Sequence, residues 1–235
     1  MAGSLLTIKN MSAWYQKEKK ILSEFSLELN EHEVVGLIGL NGAGKTTFLK
    51  TLSGLLPTFY SDGIWFYGQA VNPGKSDFKI CRYTVFAEDN SFQYFTFREY
   101  LSYVFSAYKK ELPDISELIN GFHFEDYTDI LLKDLSTGNK KKAFLITAFA
   151  LKPELLLLDE PVNGLDFTGT EFLYQMISGY KEYGTVLFSS HILESITLTS
   201  DRVLVLDGGK IRRNFGREEI DASQIREALY DEEHL

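Results

Sequence analysis

Gly39-Leu-Asn-Gly-Ala-Gly-Lys-Thr46 matches the glycine-rich pattern G-x-x-x-x-G-K-S/T, which binds phosphate groups when it joins a strand to a helix. The apolar, β-branched residues 34–38 precede it and predict a buried strand. Residues 46–53 follow it and combine good helix formers with apolar positions. The sequence therefore predicts an α/β core in which a strand ends at a triphosphate-binding turn.

Each residue type in this loop has a physical reason to be there. Glycines let backbone N–H groups approach phosphate oxygens, and the positive end of the following helix faces the same oxygens. Lys45 is expected to reach the β- and γ-phosphates, and the Thr46 hydroxyl to bind Mg²⁺. The alternative is a glycine-rich turn with a solvated lysine. The predicted nucleotide-binding residues are Gly39, Leu40, Asn41, Gly42, Ala43, Gly44, Lys45, Thr46 and Thr47.

The composition of the 235-residue chain is that of an ordinary globular protein, with 44% hydrophobic and 24% charged residues. A formal net charge of −9 argues against a nucleic-acid-binding surface, which usually carries a basic excess. Three consecutive lysines at residues 140–142 are assigned to a solvated helix face rather than to a nucleic-acid patch. Cys81 is the only cysteine, so no intrachain disulfide can form. We see no signal peptide and no membrane-spanning stretch, and expect a cytoplasmic protein that reaches a membrane only through a partner.

The chain is predicted to be one α/β domain with an inserted segment. Residues of about 1–95 and 152–216 are assigned to a mainly parallel sheet core with an antiparallel β subdomain. Short continuous apolar runs in the last third indicate parallel strands covered on both faces. A strand is also predicted over residues 5–8, and a helix that begins at His191. Residues of about 96–151 carry recurring aromatic side chains among polar ones and are assigned to an inserted helical subdomain. Residues 217–235 are an acidic tail in which a short helix is predicted.

A pair of acids follows a buried strand in the C-terminal half. Residues 155–158 are four leucines, and Asp159 and Glu160 come directly after them. Open α/β sheets place their ligands at the carboxyl ends of the strands, so these acids are expected beside the phosphate loop. Asp159 is predicted to bind Mg²⁺ through water, and Glu160 to polarise the attacking water. An ordinary strand-to-loop junction is the alternative.

These motifs, together with five further segments, resemble the ATP-binding subunit of ABC transporters. The resemblance covers about residues 5–216 and implies a P-loop NTPase fold of the ABC-ATPase type. The ordered set is specific, whereas each later motif alone is weak. The further segments are Leu135-Ser-Thr-Gly-Asn139 at the place of the family's signature, Asn163-Gly-Leu-Asp166 as its D-loop, Ser189-Ser-His191 as its switch-histidine segment, residues 201–211 as its closing strand pair, and Tyr15 at the place of the aromatic residue that stacks on adenine.

The resemblance implies that two chains complete each ATP site. In this family the signature of one subunit closes over the γ-phosphate held by a second, so Ser136 and Gly138 are expected to bind in trans, in a homodimer or a pair of ABC subunits. Ser136 also suits a helix N-cap, because a strong helical run follows it. His191 is implied to contact the γ-phosphate and to hold the attacking water with Glu160. Asp166 is expected to order the dimer interface.

The resemblance also implies the ligands, the partner and the activity. ATP and Mg²⁺ are the implied cofactors, and adenine is expected to stack on Tyr15, with Trp14 as the alternative. The partner is an integral membrane transport subunit and not nucleic acid, and ATP hydrolysis drives transport. The alternatives are a non-transport ABC-type ATPase or a weakly hydrolysing regulatory ATP-binding module. The implied site residues are catalytic Lys45, Glu160 and His191 and metal-binding Thr46 and Asp159.

Two features depart from the family's usual pattern. Ala87 stands where the family normally has a glutamine that touches Mg²⁺ and senses the membrane partner. Glu88 and Gln93 are near this position but not in register with it. Thr137 and Asn139 stand for the usual glycine and glutamine of the signature, so packing at the dimer seam is expected to differ slightly.

Overall fold

The strands in the described residues form two sheets. The computed structural model describes residues 3–17 and 19–230. The strands in chain order are β1 (Ser4–Gln16), β2 (Lys19–Asn30), β3 (Val34–Ile38), β4 (Phe59–Tyr60), β5 (Gly63–Phe66), β6 (Gln69–Ala70), β7 (Arg82–Val85), β8 (Leu155–Asp159), β9 (Thr185–Ser190), β10 (Arg202–Asp207) and β11 (Lys210–Gly216).

The helices lie mostly between and after the later strands. None of those in the described residues is both long and apolar enough to cross a bilayer. Single turns of 3₁₀ helix occur at Glu125–Tyr127, Leu132–Asp134, Tyr180–Glu182 and Arg217–Glu219. The α-helices are α1 (Lys45–Leu52), α2 (Ser76–Lys79), α3 (Phe97–Ala107), α4 (Ser116–Gly121), α5 (Thr137–Leu151), α6 (Phe167–Gly179), α7 (Leu193–Thr199) and α8 (Ala222–Tyr230).

The larger sheet positions the predicted site. Among the described residues its strand order is β11-β10-β3-β9-β8-β7, and only the edge strand β11 runs antiparallel to its neighbour. Every residue of β3, β8 and β9 is buried, as expected for parallel strands covered on both faces. These three strands are neighbours and parallel, so the segments that follow them all leave the sheet at the same edge.

The four leucines of β8 show how both faces are covered. Leu155 and Leu157 pack into a cluster with α1 and the smaller sheet, whereas Leu156 and Leu158 pack into a cluster with the helices of residues 97–151. Side chains of a strand alternate between its faces, so a continuous apolar run supplies two cores at once. The predicted α/β class, with a mainly parallel core sheet, is confirmed.

The smaller sheet is antiparallel and covers one side of the larger one. Its order is β2-β1-β5-β6 in the described part of the chain, with β4 also paired to β1. Helix α1 lies between the two sheets, where the Phe48 ring packs against Phe25 of β2 with ring centroids 4.5 Å apart. The helix that follows the phosphate loop is therefore held on two sides, which fixes the loop at its N-terminus.

Helices α3, α4 and α5 lie between β7 and β8 in the chain and pack on the other face of the larger sheet. A capping box at Thr96 and Glu99 begins α3, and the Ser136 side chain caps α5 as predicted. The aromatic residues of this segment mostly pack together, as in the edge-to-face pair of Tyr100 and Phe144. The division into a sheet core and a separate helical subdomain stays a prediction.

Three local predictions need correction. Lys141 and Lys142 are not on a solvated face, because each residue is only 3% exposed and α5 is buried over almost its whole length. His191 does not begin a helix, since α7 starts two residues later at Leu193. Strand β1 is much longer than the predicted residues 5–8, because it pairs with three other strands. The helix predicted in the tail is α8, and residues 231–235 lie outside the described part.

Candidate nucleotide site

The phosphate loop lines an open cavity at the carboxyl edge of the larger sheet. Gly42 and Gly44 have φ angles of 87° and 112°, in the left-handed region that a side chain would strain. Gly44 is also the N-cap of α1, so the backbone turns there to direct N–H groups of the first helical turn outward. The cavity has a volume of about 310 Å³ and is lined by Ile21, Leu40, Asn41, Gly42, Ala43, Gly44, Lys45, Thr46, Thr47 and Glu160.

Lys45 connects this loop to the acidic pair. Its ammonium donates to the carbonyl oxygen of Gly39 at 2.7 Å and of Leu40 at 3.4 Å, and lies 3.4 Å from Glu160 Oε1. The lysine side chain is 7% exposed and that of Glu160 is 11% exposed. A charge this buried needs an opposite charge or several acceptors, and Lys45 has both. The predicted meeting of the loop with the acids therefore occurs within one chain.

Asp159 meets the loop through the Thr46 hydroxyl. Thr46 Oγ1 donates to Asp159 Oδ2 at 2.9 Å, and the Ser189 hydroxyl donates to Asp159 Oδ1 at 2.7 Å. One hydroxyl and one carboxylate together suit Mg²⁺, which prefers oxygen ligands and takes the rest from phosphates and water. The described residues contain no cluster of three or more His, Cys, Asp or Glu side chains fit to hold a metal unaided. The donor set fits a magnesium ion that arrives with a triphosphate.

The position of Glu160 is fixed by its backbone conformation and by hydrogen bonds to Ser189 and His191. Its φ of 46° is left-handed, an uncommon backbone conformation for a non-glycine residue and typical of functional sites. Its backbone N–H donates to Ser189 Oγ at 3.0 Å. Its Oε2 lies 2.8 Å from His191 Nδ1 and accepts from the backbone N–H of His191 at 3.3 Å. A carboxylate only accepts, so this contact requires the His191 proton on Nδ1.

The signature segment lies elsewhere, at the start of α5. Ser136 is exposed, and its hydroxyl accepts from the backbone N–H of Asn139 at 3.2 Å. A Cβ on Gly138 would lie 2.2 Å from the Gly164 carbonyl oxygen, so the signature packs directly on the D-loop segment. Neither Ser136 nor Gly138 lines the cavity that the phosphate loop of the same chain forms.

Asp166 ties the D-loop segment to α5. Its carboxylate accepts from the Gly169 backbone N–H at 2.7 Å, which caps α6, and from Lys142 Nζ at 2.6 Å. The hydrogen bond from Lys142 is the largest of the effects that lower the pKa of Asp166. The Lys142 side chain is 4% exposed, so this buried cation has its counter-ion on the neighbouring segment.

The aromatic candidates for adenine stay predictions. Tyr15 lies near the end of β1, is half-exposed and does not line the cavity of the phosphate loop. Trp14 is more buried, and its backbone N–H donates to the Thr58 carbonyl oxygen at 3.1 Å. Ile21, at the start of β2, lines the cavity instead and was not among the predicted residues.

Besides Ile21, sequence reasoning missed the contacts of Ser189 and Lys141 at this edge. Ser189 bonds both Asp159 and the backbone of Glu160, and a small hydroxyl at the end of the strand beside β8 was the available signal. Lys141 donates to the carbonyl oxygens of Phe86 and Ala87, and its charged side chain on a basic run gave no sign of burial.

A family profile and two related proteins place the chain in the same family. The family profile described as "ABC transporter" matches residues 22–163, more than half of the chain. A putative ABC transporter ATP-binding protein of Bacillus subtilis, AlbC, is 36% identical over 218 residues, which are 89% of this chain and 91% of that protein. An uncharacterized ABC transporter ATP-binding protein of Methanocaldococcus jannaschii is 32% identical over 208 residues, 87% of this chain and 75% of the other.

A solved structure extends the likeness to three dimensions. The ATP-binding subunit of an ABC transporter superposes with a TM-score of 0.83 at 27% identity, covering 97% of both chains. Sequence, site geometry and fold also agree on ATPase activity. The phosphate loop with Lys45 and the carboxylates of Asp159 and Glu160 lie at the same edge of the sheet. The chain belongs to the ABC transporter family as an ATP-binding subunit, and it is an ATPase.

Proposed function

We propose that this ATPase drives the movement of a solute through a separate integral membrane subunit, at the inner face of the cell membrane. Its similarity to ATP-binding proteins of transporters supports the coupling to a membrane partner. ATP and Mg²⁺ are the proposed ligands. The observation that carries the chemistry is the contact between the Lys45 ammonium and Glu160, since it joins the phosphate-binding group to the carboxylate that would act on water.

The proposed reaction assigns one task to each side chain at the sheet edge. Lys45 and the N-terminus of α1 bind the β- and γ-phosphates. Thr46 and Asp159 hold Mg²⁺, which would neutralise charge on the phosphate oxygens when bound. Glu160 accepts a proton from the attacking water and orients it, and His191 holds that carboxylate by donating from Nδ1. The imidazolium form of His191 would also donate from its other ring nitrogen to the γ-phosphate. The left-handed backbone at Glu160 is consistent with a side chain fixed before substrate binds.

We further propose that two chains close head to tail over two ATP molecules. Ser136 and Gly138 lie at the N-terminus of a 15-residue helix, where exposed N–H groups favour an anion. They lie outside the chain's own phosphate cavity, and the family resemblance implies that they bind the γ-phosphate held by a second chain. Binding of ATP would favour the closed pair and hydrolysis the open one, and a membrane subunit would follow that cycle.

The experiment that tests the pair uses Glu160→Gln, which keeps the shape of the side chain but cannot act as a base. With Mg-ATP, this variant is expected to elute from gel filtration as a dimer, and without nucleotide as a monomer. Lys45→Ala with ATP is the matched control and is expected to stay monomeric. A Glu160→Gln protein that binds ATP and remains monomeric at every concentration would refute the shared site.

The transport assignment has its own test. Tagged protein purified from detergent-solubilised membranes of its own cells is expected to bring down a polytopic membrane protein. Addition of this protein in a lipid bilayer is expected to change the ATPase rate of the pair. Stable recovery with ribosomes or DNA, and none with a membrane protein, would contradict transport while leaving the ATPase assignment intact.

A further inference from the structure

Lys141 is a buried cation that the proposed chemistry does not use. It lies on α5, two residues after the end of the signature, and the residue is 3% exposed. Its ammonium donates to the carbonyl oxygens of Phe86 at 2.7 Å and Ala87 at 2.9 Å. These are consecutive residues of the loop that follows β7, so a single side chain fixes both peptide groups of that loop against α5.

Burial of the Lys141 ammonium away from water costs free energy. Burial lowers the pKa of Lys141 to about 8, and nearby carboxylates oppose this shift, Asp159 most strongly and then Asp89, Glu160 and Glu88. An ammonium removed from water at this cost needs compensation from charges or acceptors. The two acids at the end of β8 supply part of it, so Lys141 and the acids interact electrostatically. Buried charges with shifted pKa values gather at functional sites more often than elsewhere.

The loop that Lys141 holds begins next to the acids. Val85 ends β7 and pairs with Leu158 of β8, directly before Asp159. The next residues, Phe86 and Ala87, have no polar atom in their side chains, so only their backbone groups could form hydrogen bonds near Asp159 and Glu160. A cavity of about 200 Å³ lies between this loop and the start of α5, and Lys141 and Ala87 both line it. The positive charge next to the loop of residues 86–87 is therefore that of Lys141 on α5.

We propose that Lys141 is a positioning residue for ATP hydrolysis, which fixes the loop at residues 86–87 and places a positive charge beside Asp159 and Glu160. It joins three parts of the molecule: the helix that starts at the signature, the loop after β7 and the acids after β8. The proposal depends on the ATPase activity of the chain and not on the transport partner.

Loss of this ammonium has a specific kinetic consequence. Lys45, which is proposed to bind phosphate, and Thr46, which is proposed to bind Mg²⁺, lie on α1 and share no hydrogen bond or ion pair with Lys141 in the described part of the chain. Affinity for ATP is therefore unchanged, while the acids that position Mg²⁺ and water lose a neighbouring charge and a fixed loop. Such outer groups around a metal site typically contribute about 10- to 100-fold to activity. We expect kcat to fall by at least about ten-fold with KM for ATP within about two-fold of the wild type.

The experiment compares three variants of the full chain in a steady-state ATPase assay. Lys141→Met keeps the apolar stem and removes the charge. Lys140→Met is the matched control, because the neighbouring Lys140 makes no side-chain hydrogen bond or ion pair within residues 3–17 and 19–230. Lys141→Arg restores a cation with several N–H donors, and the adjoining cavity has room for the longer side chain.

The expected result is a loss of kcat in Lys141→Met alone, with KM unchanged and at least half of the activity recovered in Lys141→Arg. If Lys141→Met is unfolded at the assay temperature, Lys141→Gln replaces it with the same expected split. Wild-type kcat in a folded Lys141→Met or Lys141→Gln protein would overturn the proposal, as would an equal loss in Lys141→Arg. Activity that also survives Glu160→Gln would instead contradict the hydrolytic site itself.

Discussion

The phosphate-loop edge of the sheet and the start of α5 are both helix N-termini for which we propose anion binding, but they differ in how many partners their side chains have within the chain. At the first, Lys45 is buried against Glu160, and Thr46 is bonded to Asp159. At the second, Ser136 is exposed, and its hydroxyl serves only to cap its own helix. At the start of α1 the functional side chains already have partners from other parts of the chain, whereas at the start of α5 the exposed Ser136 bonds only within its own helix turn among the described residues.

Because of this difference, we expect substitutions in the two regions to affect different properties of the protein. Changes at the phosphate-loop edge remove groups that the single chain already holds in place, so nucleotide binding itself is affected. Changes at the start of α5 leave that cavity intact and affect what happens when a second chain is present. Experiments on isolated chains and on ATP-bound pairs can therefore separate the two regions.

The largest effect is expected from Lys45→Ala. Removal of the ammonium deprives the β- and γ-phosphates of their main side-chain cation, and we expect ATP affinity to fall by roughly 100-fold or more. Titration with a fluorescent ATP analogue measures it. Lys50→Ala, in the last turn of the same helix, is the control and should bind as the wild type. Equal ATP affinity in Lys45→Ala and Lys50→Ala would contradict the role of Lys45 in binding the phosphates.

A smaller and more selective effect is expected from Gly138→Ala. The added Cβ would lie 2.2 Å from the Gly164 carbonyl oxygen and would push the signature away from the D-loop segment. We expect hydrolysis and ATP-dependent pairing to fall by about ten-fold, with ATP affinity of the single chain unchanged. Gly179→Ala is the control, because nothing lies within 4 Å of its added Cβ. A loss of ATP affinity in Gly138→Ala monomers would show that the two regions are not separate.

Stability links the two regions through Lys142 and Asp166. Asp166→Asn leaves the buried Lys142 without its counter-ion, and we expect a loss of about 1–2 kcal/mol, less than for a fully buried pair because the Asp166 carboxylate is half-exposed. Urea unfolding at pH 7 measures it. Lys142→Met in the Asp166→Asn background should recover part of the loss, since no unpaired cation remains. Identical unfolding curves for wild type and Asp166→Asn would show that the ion pair does not stabilise the fold.

The smallest effect concerns Lys141 and pH in nucleotide-free protein. Its pKa is about 8 in the folded chain against 10.5 as the ordinary value. Between these pH values the unfolded chain holds this proton more strongly, so the stability of wild type should rise with pH relative to Lys141→Met. The facing carboxylates of Asp159, Asp89, Glu160 and Glu88 are common to both proteins and cancel in the comparison.

Thermal unfolding at pH 8 and pH 9 measures this difference. We expect the Tm of wild type minus the Tm of Lys141→Met to rise by roughly 2–4 °C over this range. If this Tm difference, wild type minus variant, falls or stays constant as the pH rises, Lys141 does not carry a lowered pKa.

The sequence predicted most of the phosphate-loop edge because its rules are local. A glycine-rich turn between strand and helix places Lys45 and Thr46, and the rule that ligands gather at the carboxyl ends of parallel strands places Asp159 and Glu160. The two-face burial of β8 followed from its four leucines. The roles of His191, Ser136 and Gly138 came from family resemblance, and they stay predictions.

The contacts of α5 could not be predicted because they depend on packing between distant segments. Lys141 meets Phe86 from 55 residues away, and Lys142 meets Asp166 from 24 residues away. A run of lysines ordinarily indicates a solvated face, and only the burial of α5 between the sheet and these loops reverses that expectation. The length of β1 was missed for the same reason, since its extra residues are held by pairing with β2 and β4.

The most direct test is ATP turnover and ATP binding measured side by side on purified wild type and Glu160→Gln with Mg²⁺ present. Both proteins are expected to bind ATP with similar affinity, because Lys45 and the phosphate loop are unchanged. Turnover in the variant is expected to fall by at least about 100-fold, since the group that accepts the proton from water is gone. Wild-type turnover in Glu160→Gln would contradict the meeting of Lys45, Asp159 and Glu160 around one magnesium-bound triphosphate.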